Sequence, residues 1–220
     1  MASRGNRTEP RRPTPRLYLL TPQVADPAGV REALAAALGA ADVAAVLLRL
    51  AAADERTQIR HTKALAPLVQ DRGAALLLDG LPDVAARGGG DGAHLAGIEA
   101  FEAALAALKP DRIAGCGGLA SRHDAMLAAE RGADYVMFGE PDEAQHRPSF
   151  EAVVDRVAWW AEVFEIPCVG YADSIDEVEP LAAAGAEFVA LGEWIFRQFG
   201  EVAATVKDAA RRLAVAEATG

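Results

Sequence analysis

The sequence predicts a single (βα)8 barrel, and three observations lead to that prediction. A glycine and an acid precede a short apolar run three times, in the segments 90–95, 132–139 and 185–192. Each segment follows an alanine-rich stretch, and glycine readily adopts the left-handed conformation that ends a helix. The apolar runs have the length of strands that are buried on both faces. About eight such strand–helix units over about 200 residues are typical of this barrel.

The composition supports one domain with one large core. The chain has 220 residues, of which 51% are hydrophobic and 6% aromatic, and this balance suits a barrel filled by small branched side chains. An open, doubly wound sheet is the alternative fold. It normally has fewer strands and a glycine-rich phosphate loop after the first one, and residues 21–25 do not have that pattern. The barrel is therefore the fold that we expect.

The first half of the chain supplies four strand–helix units. Its apolar runs predict strands at 17–20, 43–48, 74–78 and in the first repeated segment. Asp26 followed by Pro27 favours the start of a helix, because an acid caps it and proline suits its first position. Gly39 is the predicted end of that helix. The following helices are predicted from Thr57 to about position 71, as a short helix that ends at 87, and at 98–108.

The second half repeats the alternation. Strands are predicted at 112–115 and 166–170 and in the second and third repeated segments. Ser121, Ser149 and Ser174 are predicted N-caps, because a serine hydroxyl can accept a hydrogen bond from a free N–H at the start of a helix. Residues 140–148 form a polar loop, and a helix at 202–213 closes the chain.

The charge distribution excludes some partners. The formal net charge is −10, which argues against nucleic acid, because binding phosphates requires clustered Lys and Arg. Residues 1–15 are rich in Arg and Pro and are predicted to be a disordered tail. No apolar run reaches the length of a membrane span or of the core of a signal peptide, so we expect a cytoplasmic protein that does not bind a membrane. Self-association into a homo-oligomer stays open.

Several polar residues follow predicted strands, where the working residues of a barrel lie. Arg49 either binds a substrate anion or forms an ion pair with an acid such as Asp79. Asp79 and Glu99 either hold a hard cation through oxygen or cap helices. His94 is either an interior histidine with a satisfied hydrogen bond or an acid–base group. Cys116 is interpreted as a buried thiol, since no histidine is close to it in sequence.

Four stretches together resemble the thiamine-phosphate synthase family, which includes the thiazole tautomerases. They are 46–49 (VLLR), 76–79 (LLLD), 91–95 (DGAHL) and 132–139 (GADYVMFG), and the resemblance extends from residue 16 to about 200. It implies a transferase that joins hydroxymethylpyrimidine diphosphate to a thiazole phosphate, with Mg²⁺ on the diphosphate. The implied chemistry is loss of diphosphate to leave a pyrimidine carbocation, which the thiazole nitrogen captures. Stabilisation of the leaving diphosphate would then carry most of the catalysis.

The resemblance also assigns roles to residues of this chain. Arg49 and His94 correspond to catalytic residues of the family. Asp79 corresponds to its metal-binding aspartate, and Glu99 takes the place of a second one. The resemblance implies a substrate-binding set of Arg49, Gly117, Gly170, Tyr171, Gly192 and Glu193.

Several positions depart from the family pattern. Where the family has a lysine, this chain has Ala51. Where the family has an asparagine, a serine, a histidine and a phosphate-binding serine, this chain has, in that order, Leu78, Gly117, Leu119 and Glu193. An acid in a phosphate loop repels an anion, and the lost lysine removes attraction. The sequence therefore predicts a synthase-like barrel with a weakened phosphate site.

Two alternatives stay open. One is a non-catalytic or repurposed paralogue that binds a non-phosphorylated ligand or regulates a partner. The other is a tautomerase of the thiazole phosphate, in which His123 would have to replace the missing histidine at position 119.

Overall fold

The computed structural model describes residues 14–142 and 144–219, and its eight parallel strands close into a barrel in chain order. The predicted fold class is confirmed. The strands are β1 (Arg16–Leu20), β2 (Val43–Leu48), β3 (Ala75–Asp79), β4 (Gly92–Ala96), β5 (Ile113–Gly117), β6 (Tyr135–Phe138), β7 (Cys168–Ala172) and β8 (Phe188–Leu191). The ring closes where β1 pairs with β8, with Arg16 opposite Phe188 and Leu19 opposite Leu191. Most of the predicted tail, residues 1–13, lies outside the described residues.

The described residues also form eight α-helices, which surround the strands. They are α1 (Pro27–Ala40), α2 (Glu55–Gln70), α3 (Pro82–Gly88), α4 (Ile98–Leu108), α5 (Arg122–Glu130), α6 (Phe150–Val163), α7 (Val178–Ala183) and α8 (Val202–Thr219). Short 3₁₀ turns occur at Ile175–Glu177, Glu193–Phe196 and Phe199–Glu201. In the described part of the chain, no helix has both the length and the apolar character that a membrane span requires.

The core has two layers. The larger layer lies between the strands and the helices. The smaller one fills the inside of the barrel, and its buried residues are Tyr18, Leu20, Ala45, Leu47, Leu77, Tyr135, Met137, Val169, Tyr171 and Ala190. Three tyrosines thus lie in an interior that we expected to hold mainly small branched side chains, and their hydroxyls bring polar groups into the barrel.

The acids of the repeated segments cap strands at the amino end of the barrel. Each acid precedes an even-numbered strand and accepts a hydrogen bond from a backbone N–H at the start of the strand before it. The bonds run from Leu76 N to Asp91 Oδ2 (2.7 Å), from Ala114 N to Asp134 Oδ2 (2.7 Å) and from Cys168 N to Glu187 Oε2 (2.9 Å). The repeat therefore serves stability, since this face of the barrel lies opposite the end where catalytic groups gather.

The ends of several elements differ from the prediction. Gly132 and Gly185 have positive φ angles (93° and 105°) as expected, but in the first repeat this role belongs to Gly89 (φ 82°) and not to Gly90. Gly39 lies within α1, which continues to Ala40, so Gly39 is not its end. The start of α2 also moves, because Asp54 caps the helix and places Thr57 in its first turn.

Two of the three predicted serine caps are confirmed. Ser121 forms a reciprocal capping box with Asp124, and the hydroxyl of Ser149 accepts from Ala152 N. Ser174 lies at the N-cap of a 3₁₀ turn, Ile175–Glu177, that leads into α7, but its hydroxyl makes no capping hydrogen bond among the described residues. The seventh strand lies two residues beyond its predicted range, and α8 extends past its predicted end at residue 213.

Candidate active site

Arg49 lies at the carboxyl end of β2 between two carboxylates. Its Nη1 donates to Glu193 Oε2 at 2.7 Å, and its Nε lies 3.4 Å from Asp79 Oδ2. The backbone of Arg49 is held by the buried Thr21, whose Oγ1 accepts from Arg49 N at 3.0 Å. In this structure Arg49 therefore has the second of its two predicted roles, the ion pair with an acid.

Asp79 is the one predicted metal ligand that lies beside Arg49. Its side chain is 40% exposed. Glu99, the other predicted ligand, is exposed at the start of α4. Residues 14–142 and 144–219 contain no group of three or more His, Cys, Asp or Glu that could hold a metal ion. A magnesium ion that arrives on a diphosphate needs only one or two protein carboxylates, and Asp79 fits that requirement.

His94 points into the barrel and is 4% exposed. Its Nδ1 lies 2.9 Å from the hydroxyl of Tyr135, which lies 3.0 Å from the hydroxyl of Tyr18. Its Nε2 faces Glu140 Oε2 at 3.4 Å, and neither of these two buried atoms has a hydrogen-bond partner among the described residues. One side of His94 is thus satisfied, as an interior histidine should be, and the other side is not.

The ionisation of His94 reflects opposing effects. Burial of the ring is the largest of them and lowers its pKa. The facing carboxylate of Glu140 and the charge of Asp79 outweigh burial, and the pKa of His94 is raised as a result. The histidine therefore binds a proton more readily than its burial alone would allow.

Glu140 is a residue of the mouth to which the sequence reasoning gave no role. Its carboxylate is 15% exposed, and its Oε1 accepts a hydrogen bond from Gly118 N. Gly117 lies directly beneath it, because a Cβ at that position would collide with the Glu140 carboxylate and lie 2.6 Å from His94 Nε2. Two features of the sequence could have indicated Glu140. They are the position of an acid directly after Gly139 and the two adjacent glycines, Gly117 and Gly118, at the end of β5.

Arg147 is a cation of the rim whose donors are already used. It donates to both carboxylate oxygens of Glu177 at 3.0–3.1 Å, and to the carbonyl oxygens of Gly139 and Tyr171. It therefore ties the loop after β6 to the loop after β7. The nearby His146 has an 83% exposed side chain and faces Asp142 at 3.8 Å.

The predicted phosphate loops after β7 and β8 have packing explanations for their glycines. A Cβ at Gly170 would lie 2.9 Å from Leu181 of α7, so this glycine lets the helix approach the strand. A Cβ at Gly192 would collide with the hydroxyl of Tyr171. Burial raises the pKa of Tyr171 to about 12, so its hydroxyl stays neutral. Substrate binding by Gly170, Tyr171 and Gly192 stays a prediction.

The remaining candidates contribute little reactivity. Cys116 is fully buried, and burial raises its pKa to about 12, as expected for an inert thiol. His123 is exposed in the first turn of α5, while Leu119 is buried. Among the described residues, no hydrogen bond or ion pair joins His123 to the groups around Arg49, so the tautomerase alternative gains no support.

Comparisons with known proteins converge on one family. A family model described as thiamine monophosphate synthase matches residues 17–195. A thiamine-phosphate synthase of Rhodospirillum centenum is 41% identical over 197 residues, which cover 88% of this chain and 95% of the relative. A thiamine-phosphate synthase of Hyphomonas neptunium is 33% identical over 205 residues, with 89% and 92% coverage. Among solved structures, a thiamine phosphate pyrophosphorylase from Pyrococcus furiosus aligns with a TM-score of 0.73 at 24% identity, covering 91% of this chain and 96% of its own.

Proposed function

Because this chain belongs to the thiamine monophosphate synthase family, we propose that it joins hydroxymethylpyrimidine diphosphate to a thiazole phosphate in thiamine biosynthesis. One observation of the structure supports this proposal most. Arg49, Asp79 and His94 come from three successive strands and meet at the carboxyl end of the barrel, with Asp79 opposite His94 in the β3–β4 ladder. An arginine beside a carboxylate is suited to hold a diphosphate together with its metal ion.

Arg49 has to change partners for this reaction. In this structure it donates to Glu193, and both side chains are partly exposed, at 25% and 50%. Ion pairs of this kind contribute about 0–1 kcal/mol, which corresponds to at most about a fivefold change in affinity. Competition from Glu193 should therefore weaken the binding of diphosphate without preventing it.

Magnesium is part of the proposal as a partner of the diphosphate. The bound ion would neutralise charge on the leaving group, and Asp79 would be the protein carboxylate that holds it. Glu99 stays a predicted second ligand. Arg49, which lies beside Asp79, would hold the diphosphate by its charge, and the buried ring of His94 would exclude water from the reacting centre.

The coupling reaction can be tested directly. Purified protein would be incubated with both substrates and MgCl₂, and thiamine phosphate would be measured by liquid chromatography. Arg49→Ala and Asp79→Ala should each lower kcat/KM by about 100-fold or more, because each removes charge that stabilises the leaving group. Arg197→Ala is the matched control, since Arg197 is exposed at the same end of the barrel and has no side-chain ion pair among the described residues. Unchanged rates in both site variants would refute the site.

A second function is favoured because the arginines at the mouth of the barrel already form ion pairs with acids of this chain. Arg49 and Arg147 both bind acids of this chain, and position 51 carries alanine. A repurposed paralogue that binds a non-phosphorylated ligand would need no free cation. Calorimetry separates the two functions, because only a synthase should bind hydroxymethylpyrimidine diphosphate with Mg²⁺.

The family supports a small-molecule substrate. We propose that the protein is cytoplasmic and binds neither nucleic acid nor a membrane, and self-association into a homo-oligomer stays open.

A further inference from the structure

The carboxylate of Glu140 makes contacts that an anionic ligand would make. It accepts from a backbone N–H, that of Gly118, at the start of the loop after β5. Its second oxygen faces His94 Nε2 at 3.4 Å, which is too long for a good hydrogen bond. Both of these facing atoms are buried, and neither has a hydrogen-bond partner in the part of the chain that the structure describes. Buried polar atoms are normally paired, so the arrangement indicates a position at which a better-fitting acceptor could bind.

His94 is a hydrogen-bond donor toward this position. The hydroxyl of Tyr18 has one partner among the described residues, the hydroxyl of Tyr135. Either hydroxyl can be the donor in that pair, and Tyr135 can donate to His94 Nδ1 or accept from it. The facing Glu140 carboxylate is an acceptor only, so it favours the tautomer of the neutral ring with the hydrogen on Nε2, and the protonated ring carries one there as well. In either state Nε2 presents an N–H to the Glu140 carboxylate.

Gly117 provides the space that Glu140 fills. Any side chain at position 117 would occupy the volume of the Glu140 carboxylate. The glycine at the end of β5 and the acid after β6 are therefore complementary. Although they are 23 positions apart in sequence, they share one small volume between two donors.

We propose that Glu140 occupies an anion subsite formed by Gly118 N–H and His94 Nε2–H, and that a phosphate or diphosphate group of the substrate must displace its carboxylate. The inference rests on the proposed function for the identity of the substrate. It predicts that this mouth keeps donors for an anion but binds anions weakly, since its own acid occupies them.

Titration with inorganic pyrophosphate, with and without MgCl₂, tests the proposal by calorimetry on the full chain. Glu140→Ala should bind pyrophosphate about tenfold or more tightly than the native protein, because it vacates two donors and removes a charge. Glu140→Gln should gain less, because its amide still fills the space. Glu179→Ala is the control, because Glu179 is exposed on α7 and the net charge changes equally.

Three outcomes would overturn the proposal. They are an affinity of Glu140→Ala no higher than that of Glu179→Ala, a loss of affinity in a folded Glu140→Ala protein, or an equal gain in Glu140→Gln, which would assign the effect to charge alone. If Glu140→Ala does not fold, the pyrophosphate affinities of Glu140→Gln and Glu179→Gln are compared instead. We expect Glu140→Gln to bind more tightly, and equal affinities would contradict the proposal. This titration does not depend on the coupling reaction. Its result would therefore be valid even if the native protein made no thiamine phosphate. Conversely, an unchanged affinity of the Glu140 variants would not contradict the proposed synthase function.

Discussion

At the scale of single residues, two carboxylates of the barrel mouth occupy groups that could otherwise bind an anion. Glu193 engages Arg49, and Glu140 engages Gly118 N–H. These contacts differ in strength because they differ in exposure. The Arg49–Glu193 pair is partly solvated, while Glu140 lies against a buried histidine whose pKa it helps to raise. Glu193 should therefore be the easier acid to displace.

Restoring positive charge next to Arg49 should strengthen anion binding. The double variant Glu193→Ser with Ala51→Lys frees Arg49 and adds a cation, and we expect pyrophosphate to bind about tenfold more tightly. Calorimetry at fixed ionic strength measures the change. A control with the same change in net charge is Glu179→Ser with Ala158→Lys, on the exposed faces of α7 and α6. Equal affinities in the two double variants would show that these loops do not bind phosphate.

At the scale of elements, the sequence predicted strands and helices better than their ends. The strand at 43–48 and the helix at 98–108 match their observed bounds, because apolar spacing defines both. The prediction that Gly39 ends α1 was wrong, because a glycine within an alanine-rich helix cannot be distinguished by its neighbours from a glycine that ends one. The repeated acids were noticed from the sequence, but their bonds to neighbouring strands depend on the register of the barrel.

The same limit applies to the candidate site. Arg49, Asp79 and His94 could be predicted because they follow or occupy recognisable strands. Glu140 also follows a recognisable strand, but its contacts could not be predicted, because its partners Gly118 and His94 are 22 and 46 positions away. Contacts between different loops arise only when the barrel closes.

The capping acids give a prediction at this scale. Asp91→Ala removes the acceptor of Leu76 N and of Gln70 Nε2, and it leaves a strand N–H unsatisfied at the amino end of the barrel. We expect the free energy of unfolding to fall by about 1–3 kcal/mol, as measured by urea denaturation. Coupling activity of the folded variant should be unchanged, because the site lies at the opposite end. Asp155→Ala on the exposed face of α6 is the control, and an equal loss of stability in both would contradict the capping role.

At the scale of the whole molecule, a regular barrel carries a mouth whose donors are held by the chain's own acids. The formal net charge of −10 adds a long-range repulsion of anions to these local contacts. A family fold is thus combined with weakened electrostatics at the substrate end. This combination predicts a synthase with low affinity for its diphosphate substrate and an intact scaffold.

A crystal structure of the protein grown with inorganic pyrophosphate and MgCl₂ tests this account most directly. We expect the anion to lie at the carboxyl end of the barrel, bonded to Arg49 and to Gly118 N–H, with the Glu193 and Glu140 carboxylates turned away from these donors. Pyrophosphate bound at the mouth while Glu193 still contacts Arg49 and Glu140 still contacts Gly118 would contradict the account.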